Sequence, residues 1–265
     1  MRLAFSTLGV PALAIDQVVR LAAEHGYHGV ELRASDEGPV HTGLSASERA
    51  DVASQFGKAG IEVLTVAAYP KVAAPGDDGP VLEEIDAALT LAADLGASYV
   101  RVFPGGGDQP AEQADALATR RLATAAERAE SLGVRVLLET HDSHRSGADV
   151  ARVLGRVGHR AAGAIWDVMH TWLAGEQPQV SFRALAPYLG YVQVKDIASA
   201  ADTTPLPLGA GVLPLAETVE VLSRAYWDGW LCWEYEKRWY PDAAELPGLL
   251  GPARDHLTRL LADSA

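Results

Sequence analysis

The chain has 265 residues, 48% hydrophobic and 22% charged, enough for a sizeable core in one large domain. Lys and Arg total 22 against 35 Asp and Glu, and the formal net charge of -13 repels phosphate backbones and anionic headgroups. Neither nucleic acid nor a membrane is therefore expected as a partner. The single cysteine can form no internal disulfide and no Cys-based zinc site, which suits a reducing, cytoplasmic location. Asp16 interrupts the N-terminal MRLAFSTLGVPALAIDQVV, which does not read as a signal peptide, and no stretch approaches the ~18 apolar residues of a membrane span.

Along the chain, strand-like apolar runs fall at Leu3–Thr7, Gly29–Arg33, Glu62–Ala68, Tyr99–Phe103, Arg135–Thr140, Ala162–Val168, Tyr191–Ile197 and Trp230–Tyr235. Helical periodicity fills the gaps at about 13–25, 45–59, 80–95, 111–132, 147–157, 178–187, 214–226 and 243–262. Between helix and strand stands a glycine, at Gly26, Gly60, Gly96 and Gly133, with a period of roughly 35 residues. Glycine just past a helix tolerates the left-handed capping conformation, so each unit reads as helix, cap, strand. Such βα repeats imply a parallel sheet. The turn after the first run, STLGVPAL, has neither GxGxxG nor a Walker pattern, which argues against a doubly wound nucleotide fold. Eight strands and eight helices in a chain of this length predict a single-domain α/β (β/α)8 TIM barrel over residues 1–265.

In such a barrel chemistry gathers at the C-terminal strand ends, and polar residues collect there. The second strand ends Glu31-Leu32-Arg33; the fifth ends Glu139-Thr140-His141, followed by Asp142 and His144. The sixth ends Asp167-Val168-Met169-His170, the seventh carries Gln193-Val194-Lys195-Asp196, and the eighth carries Glu234-Tyr235-Glu236-Lys237. Any one of these carboxylates could instead be a helix N-cap or a surface ion-pair partner. Four consecutive strands, however, bring Glu139, Asp167, Gln193 and Glu234 toward the axis. Three carboxylates crowded there repel unless a cation relieves them. An oxygen-rich set suits one Mn²⁺ or Mg²⁺ per chain. His141, two residues after Glu139, and His170, three after Asp167, are candidate substrate or outer-shell contacts, while His25, His28, His41, His159 and His256 read as structural. Lys195 could neutralise an oxyanion or pair with Asp196 or Glu236, and Arg33 carries the same ambiguity. Arg33, Glu236 and Lys237 complete the expected substrate-binding set with His141, His170 and Lys195. Trp172 and Trp239 are candidate pocket walls, and Gly105–Gly107 is a weak candidate for an anion-binding loop.

The phrases VLLETHDSH, AIWDVMHTWLAGE, YVQVKDI and WLCWEYEKRW, in that order, resemble the xylose-isomerase-like TIM barrels, with GYHGVELR and GASYVRVF matching the second and fourth strands. This superfamily includes sugar isomerases, epimerases and dehydratases. The resemblance implies one divalent metal on Glu139, Asp167, Gln193 and Glu234, with Glu139 and Glu234 doubling as acid/base groups that make an enediolate next to a polarised carbonyl. His170 would touch substrate oxygens. The implied substrate is a small ketose, sugar acid or polyol-derived molecule; a lyase or dehydratase sharing the first step is the alternative, and a non-catalytic metal- or sugar-binding barrel the second. One position departs from the pattern: the usual seventh-strand ligand is His, and here it is Gln193, an uncharged and weaker ligand. The endonuclease branch needs additional His residues, including one after the seventh strand, where this chain reads TTPLPLGAGVLP, and its DNA substrate is opposed by the charge. The long C-terminal helix and the tryptophans permit a homodimer.

Overall fold

The computed structural model describes residues 1–264. Eight strands form where β-branched and aliphatic runs occur: β1 (Arg2–Ser6), β2 (Gly29–Arg33), β3 (Glu62–Lys71), β4 (Tyr99–Phe103), β5 (Arg135–Glu139), β6 (Ala162–Asp167), β7 (Leu189–Val194) and β8 (Trp230–Trp233). Every neighbouring pair is parallel, and the order β1-β8-β7-β6-β5-β4-β3-β2 closes on itself. The helices longer than six residues are α1 (Ile15–Glu24), α2 (Ala46–Ala59), α3 (Asp78–Leu95), α4 (Ala111–Ser131), α5 (Gly147–Val157), α6 (Pro178–Leu185), α7 (Leu215–Arg224) and α8 (Leu250–Asp263). This is the predicted single-domain (β/α)8 barrel. Among the described residues, no helix is long and apolar enough to cross a membrane.

Local chemistry accounts for the boundaries. At α2, the Ser45 hydroxyl accepts from the Glu48 amide and Glu48 reaches back to the Ser45 amide, so two otherwise orphaned donors are satisfied. The caps Gly60 and Gly96 have φ of 68° and 71°, the left-handed region predicted for them. Six strand ends differ from expectation: β1 and β5 stop one residue early, at Ser6 and Glu139, and β3 runs on to Lys71. β7 and β8 stop at Val194 and Trp233, and β6 stops at Asp167, whose Oδ1 caps the six-residue helix Val168–Leu173 through the Met169 amide at 2.8 Å. Beyond β7, the chain forms an antiparallel hairpin, Ile197–Ser199 with Asp202–Pro205.

The core has two parts. Apolar residues on the outer strand faces pack against the helices, including Val30, Val66, Val100, Val136, Leu138 and Val192. Inside the barrel lies a smaller cluster of Ala4, Leu64, Leu137, Ile165, Tyr191, Trp230 and Cys232. Strand alternation then dictates what stands above it. Two residues beyond Leu137 is Glu139, beyond Ile165 is Asp167, beyond Tyr191 is Gln193, and beyond Cys232 is Glu234. The apolar floor and the polar layer are therefore consecutive inward positions of the same strands.

Two buried polar clusters hold the loops around this layer. Asp115 on α4 accepts from His144 Nε2 at 3.1 Å, Arg152 Nε at 2.6 Å and Arg156 Nη1 at 3.1 Å, joining α4, α5 and the loop after β5. His144, read from sequence as part of the polar strand end, is thus a packing residue. The Arg152 hydrogen bond is the main reason the Asp115 carboxyl is held below the usual range, so its stabilisation is present above the unfolded carboxyl pKa and lost as pH falls through the lower folded value. Asp115→Asn is expected to lower stability at pH 7 by about 1–2 kcal/mol and to flatten the fall in stability below about pH 4, read by urea titrations across pH. An unchanged acid limb would reject this role. Asp196, in turn, does not pair with Lys195: its carboxylate accepts the amides of Ile197, Gly209, Gly211 and Leu213. A Cβ on Gly211 would lie 2.2 Å from the Ile197 carbonyl oxygen, so only glycine lets the loop approach this closely.

Candidate active site

Over the barrel floor, Glu139, Asp167 and Glu234 offer carboxylate oxygens that all lie within 4.8 Å of one another. All three side chains are buried, as are Glu31 on β2, Gln193 on β7 and Arg101 on β4. Burial of this many acids is tolerated because two cations enter the layer. Lys195 Nζ lies 2.7 Å from Asp167 Oδ2, 2.5 Å from Glu234 Oε2 and 2.7 Å from Glu236 Oε1. Arg101 Nη1 lies 3.3 Å from both Glu139 Oε2 and Glu234 Oε1. Gln193 Nε2 donates to Glu31 Oε2 at 3.1 Å and to Glu234 Oε1 at 3.2 Å, and the Tyr191 hydroxyl donates to Glu31 Oε2 at 2.5 Å.

The environment moves several protonation equilibria. Burial raises the Glu139 carboxyl well above its ordinary range; Arg101 offsets that, while Glu234 and Asp167 add to it. Glu31 is raised by burial and by Glu234. Burial alone would pull Lys195 down, yet Asp167, Glu234, Glu236 and Glu139 outweigh it and hold the ammonium well above its ordinary value. His170 is pushed well below the ordinary imidazole value by burial, then by His141 and Lys195, and is neutral at pH 7.

A cavity of about 270 Å³ opens over this layer, lined by Tyr69, Arg101, Phe103, Glu139, His141, Met169, His170, Thr203, Glu234, Glu236 and Trp239, with Leu8 and Leu173. The His141 and His170 rings lie 4.1 Å apart between centroids, and Phe103 backs His141 at 4.5 Å. The structure thus gathers Glu139, Glu234, His141, His170 and Glu236 around one cavity, with Asp167, Gln193 and Lys195 packed against them. Lys237 is not brought there: its ammonium lies 2.6 Å from the Pro241 carbonyl oxygen, 2.5 Å from that of Ala243 and 2.8 Å from Glu245, so it ties down the loop after β8. Arg33 stands beside the cavity, its Nε donating to the Tyr69 hydroxyl at 2.8 Å. Trp172 packs against the outer core, whereas Trp239 is a wall. The Gly106 amide donates to Ser143, which ties the glycine loop to the turn after β5.

Sequence reading missed Arg101 and Tyr69 and gave Glu31 no role. The signal for Arg101 was present: it is a lone charge at the centre of the otherwise apolar YVRVF, and alternation places it on the face opposite Val100 and Val102.

A divalent cation fits these residues. Buried Glu139 Oε2, Asp167 Oδ2 and Gln193 Oε1 have no aligned hydrogen-bond donor, although the first and second lie near Arg101 and Lys195. These oxygens come from the residues whose strands converge, and an all-oxygen set suits a hard ion. A second grouping, Glu139 with His141 and His170, shares the first carboxylate and adds nitrogen.

A family model described as xylose isomerase-like TIM barrel matches residues 19–259. A putative hydroxypyruvate isomerase of Streptomyces coelicolor is 32% identical over 196 residues, spanning 68% of this chain and 68% of its own. The 3-dehydroshikimate dehydratase of Bacillus anthracis is 23% identical over 192 residues, 71% of this chain and 68% of its own. Among solved structures, the IOLI protein with a binding zinc atom aligns with a TM-score of 0.84 at 18% identity, over 100% of this chain and 99% of that one. The likeness at that identity is one of fold.

Proposed function

This chain belongs to the xylose isomerase-like TIM-barrel family, and on that premise we propose that it is a divalent-metal-dependent sugar isomerase or epimerase acting by proton abstraction beside a carbonyl. The observation that carries this reading is Glu139. It is a buried carboxylate with an unaligned oxygen, it lines the cavity, and burial raises its proton affinity once it is ionised. Such a group is a competent general base in a water-poor site. A bound cation would be held by Glu139, Asp167, Gln193 and Glu234 and would polarise the substrate carbonyl, making the neighbouring C–H more acidic. Mn²⁺ or Mg²⁺ suits the oxygen donors best.

The chain's own residues do the rest. Glu139 takes the proton from the carbon next to the carbonyl. Glu234, fixed by Lys195, Gln193 and Arg101, is the second carboxylate at the cavity. In an epimerisation it takes up a proton from Lys195 Nζ, which regains one from solvent, and delivers it to the enediolate, while Glu139 later loses the substrate proton to solvent. Lys195 and Arg101 supply fixed positive charge as negative charge develops on oxygen. His141 and the neutral His170 hold substrate hydroxyls, and Phe103, Met169 and Leu8 keep that side of the cavity dry.

A dehydratase reading shares the first step. Two buried cations in one site favour it, because they also stabilise a departing hydroxyl, and one relative carries that name. One incubation separates the readings: a ketose and keto-acid panel in D2O with Mn²⁺ or Mg²⁺. Solvent deuterium incorporated at carbon without loss of water supports isomerase or epimerase chemistry; loss of water assigns the dehydratase. No exchange across the panel by protein that binds the metal would overturn both in favour of a non-catalytic barrel. Metal analysis is expected to give about one ion per chain, and Gln193→His, which substitutes a stronger nitrogen donor, to keep or tighten binding in a calorimetric titration. Metal binding unchanged in Gln193→Ala would remove this residue from the ligand set.

A further inference from the structure

Next to the catalytic cavity lies a larger open cleft of about 900 Å³, bounded by the loop after β2, by the C-terminal end of β3, by α3 and by the loop after β8. The two spaces share Tyr69 and Trp239 as common walls. The cavity over Glu139, at about 270 Å³, is at the small end of ligand pockets, so one sugar-sized unit fills it and the cleft is left over.

We infer that this cleft is the second half of the substrate site and takes an uncharged, hydroxyl-bearing sugar ring joined to the unit that reacts over Glu139. The substrate is then a two-ring glycoside rather than a free monosaccharide. The inference rests on the proposed carbonyl chemistry and names its substrate class.

Three observations carry it. Trp239 is 51% exposed, and its indole lies where one space passes into the other. Isolated exposed aromatics are ordinary, but this one is held by two guanidinium groups, Arg33 at 5.7 Å and Arg238 at 5.2 Å from its ring centroid. The part of the indole that they leave exposed suits the C–H face of a sugar ring. Arg33 spends only its Nε on Tyr69 among the described residues, leaving its terminal nitrogens to donate to hydroxyls beside that platform. The rim decides against an anionic tail. Asp36, Glu37, Glu83 and Glu84 outnumber Arg33 and Arg238, and Arg238 is already paired with Glu37. Those carboxylates accept hydroxyl protons and repel phosphate.

The test compares a ketose with keto-disaccharides that carry it (fructose with lactulose, maltulose and isomaltulose) by saturation-transfer NMR and calorimetry on the metal-loaded protein. At least one disaccharide is expected to bind about tenfold more tightly than its monosaccharide, equivalent to about 1.4 kcal/mol. Trp239→Ala and Arg33→Ala are each expected to bring that ratio toward one, and Trp239→Phe to restore part of it. Equal affinities in the unsubstituted protein, or a preference that survives both alanine substitutions, would overturn the assignment. The D2O exchange on free ketoses is read in parallel. Exchange without a disaccharide preference removes the cleft and leaves the chemistry. A Trp239-dependent disaccharide preference without exchange keeps the cleft and removes the chemistry.

Discussion

Glu139→Gln is expected to abolish proton exchange at the carbon beside the carbonyl, with the rate falling by about 10²–10⁴. The substitution is close to isosteric and exchanges a base for an amide in the same place. Because Glu139 is also a candidate metal ligand, two quantities must be read together: the exchange rate, and the metal content at a saturating Mn²⁺ concentration. Lost exchange with retained metal assigns Glu139 as the base. Full exchange in the variant would refute the assignment and move the proton transfer to Glu234. The parallel Glu234→Gln is expected to lose turnover as well, but for a mixed reason, because Glu234 is what Lys195, Gln193 and Arg101 all grip.

Removing the Arg101 guanidinium should produce the largest change in stability. It is 3% exposed and lies 3.3 Å from oxygens of both Glu139 and Glu234, with Glu31 a third negative neighbour. Arg101→Met keeps most of the volume and leaves those acids without this counter-charge. Breaking a buried pair in this manner costs about 3–5 kcal/mol. In a domain of this size each kcal/mol lowers the melting temperature by roughly 2–4 °C, so a fall on the order of 10 °C is expected in a thermal melt. The same account requires Mg²⁺ or Mn²⁺ to raise the melting temperature of Arg101→Met more than that of the unsubstituted protein, since a cation then offsets charge that Arg101 no longer does. A melt unchanged by the substitution, or an equal response to metal, would mean that Arg101 does not balance this layer.

Much of the site could be read from the sequence because a parallel strand is a simple ruler. Glu139, Asp167, Gln193 and Glu234 each follow a residue of the barrel floor by two positions near the end of an apolar run, and the fold brings them together. Arg101 obeys the same ruler. It was overlooked because it stands in the middle of its strand, where polar residues are not expected. Lys237 illustrates the opposite limit. It adjoins the same strand end as Glu234, but loops have no fixed period, and its ammonium turns away to the carbonyls of Pro241 and Ala243. Neighbouring Lys195 and Asp196 were equally ambiguous: alternation sends the lysine inward to three carboxylates and leaves the aspartate to bind loop amides.

By itself, the sequence determined the eightfold βα repeat, the closed parallel barrel, the helix-capping glycines and the acidic residues at one end of the strands. All of these follow from short-range rules: periods of 2 and 3.6, glycine's access to positive φ, and the apolar content of each run. Tertiary structure alone decided how the charges are balanced and where the open space lies. Lys195 and Arg101 meet the carboxylates only when β4, β5, β6, β7 and β8 close around one axis, and the cleft beside Trp239 exists only because loops from distant parts of the chain stand apart there. Coulomb energy depends on distance in space, and no local pattern encodes the separation of Arg101 from Glu234 across 133 residues of chain.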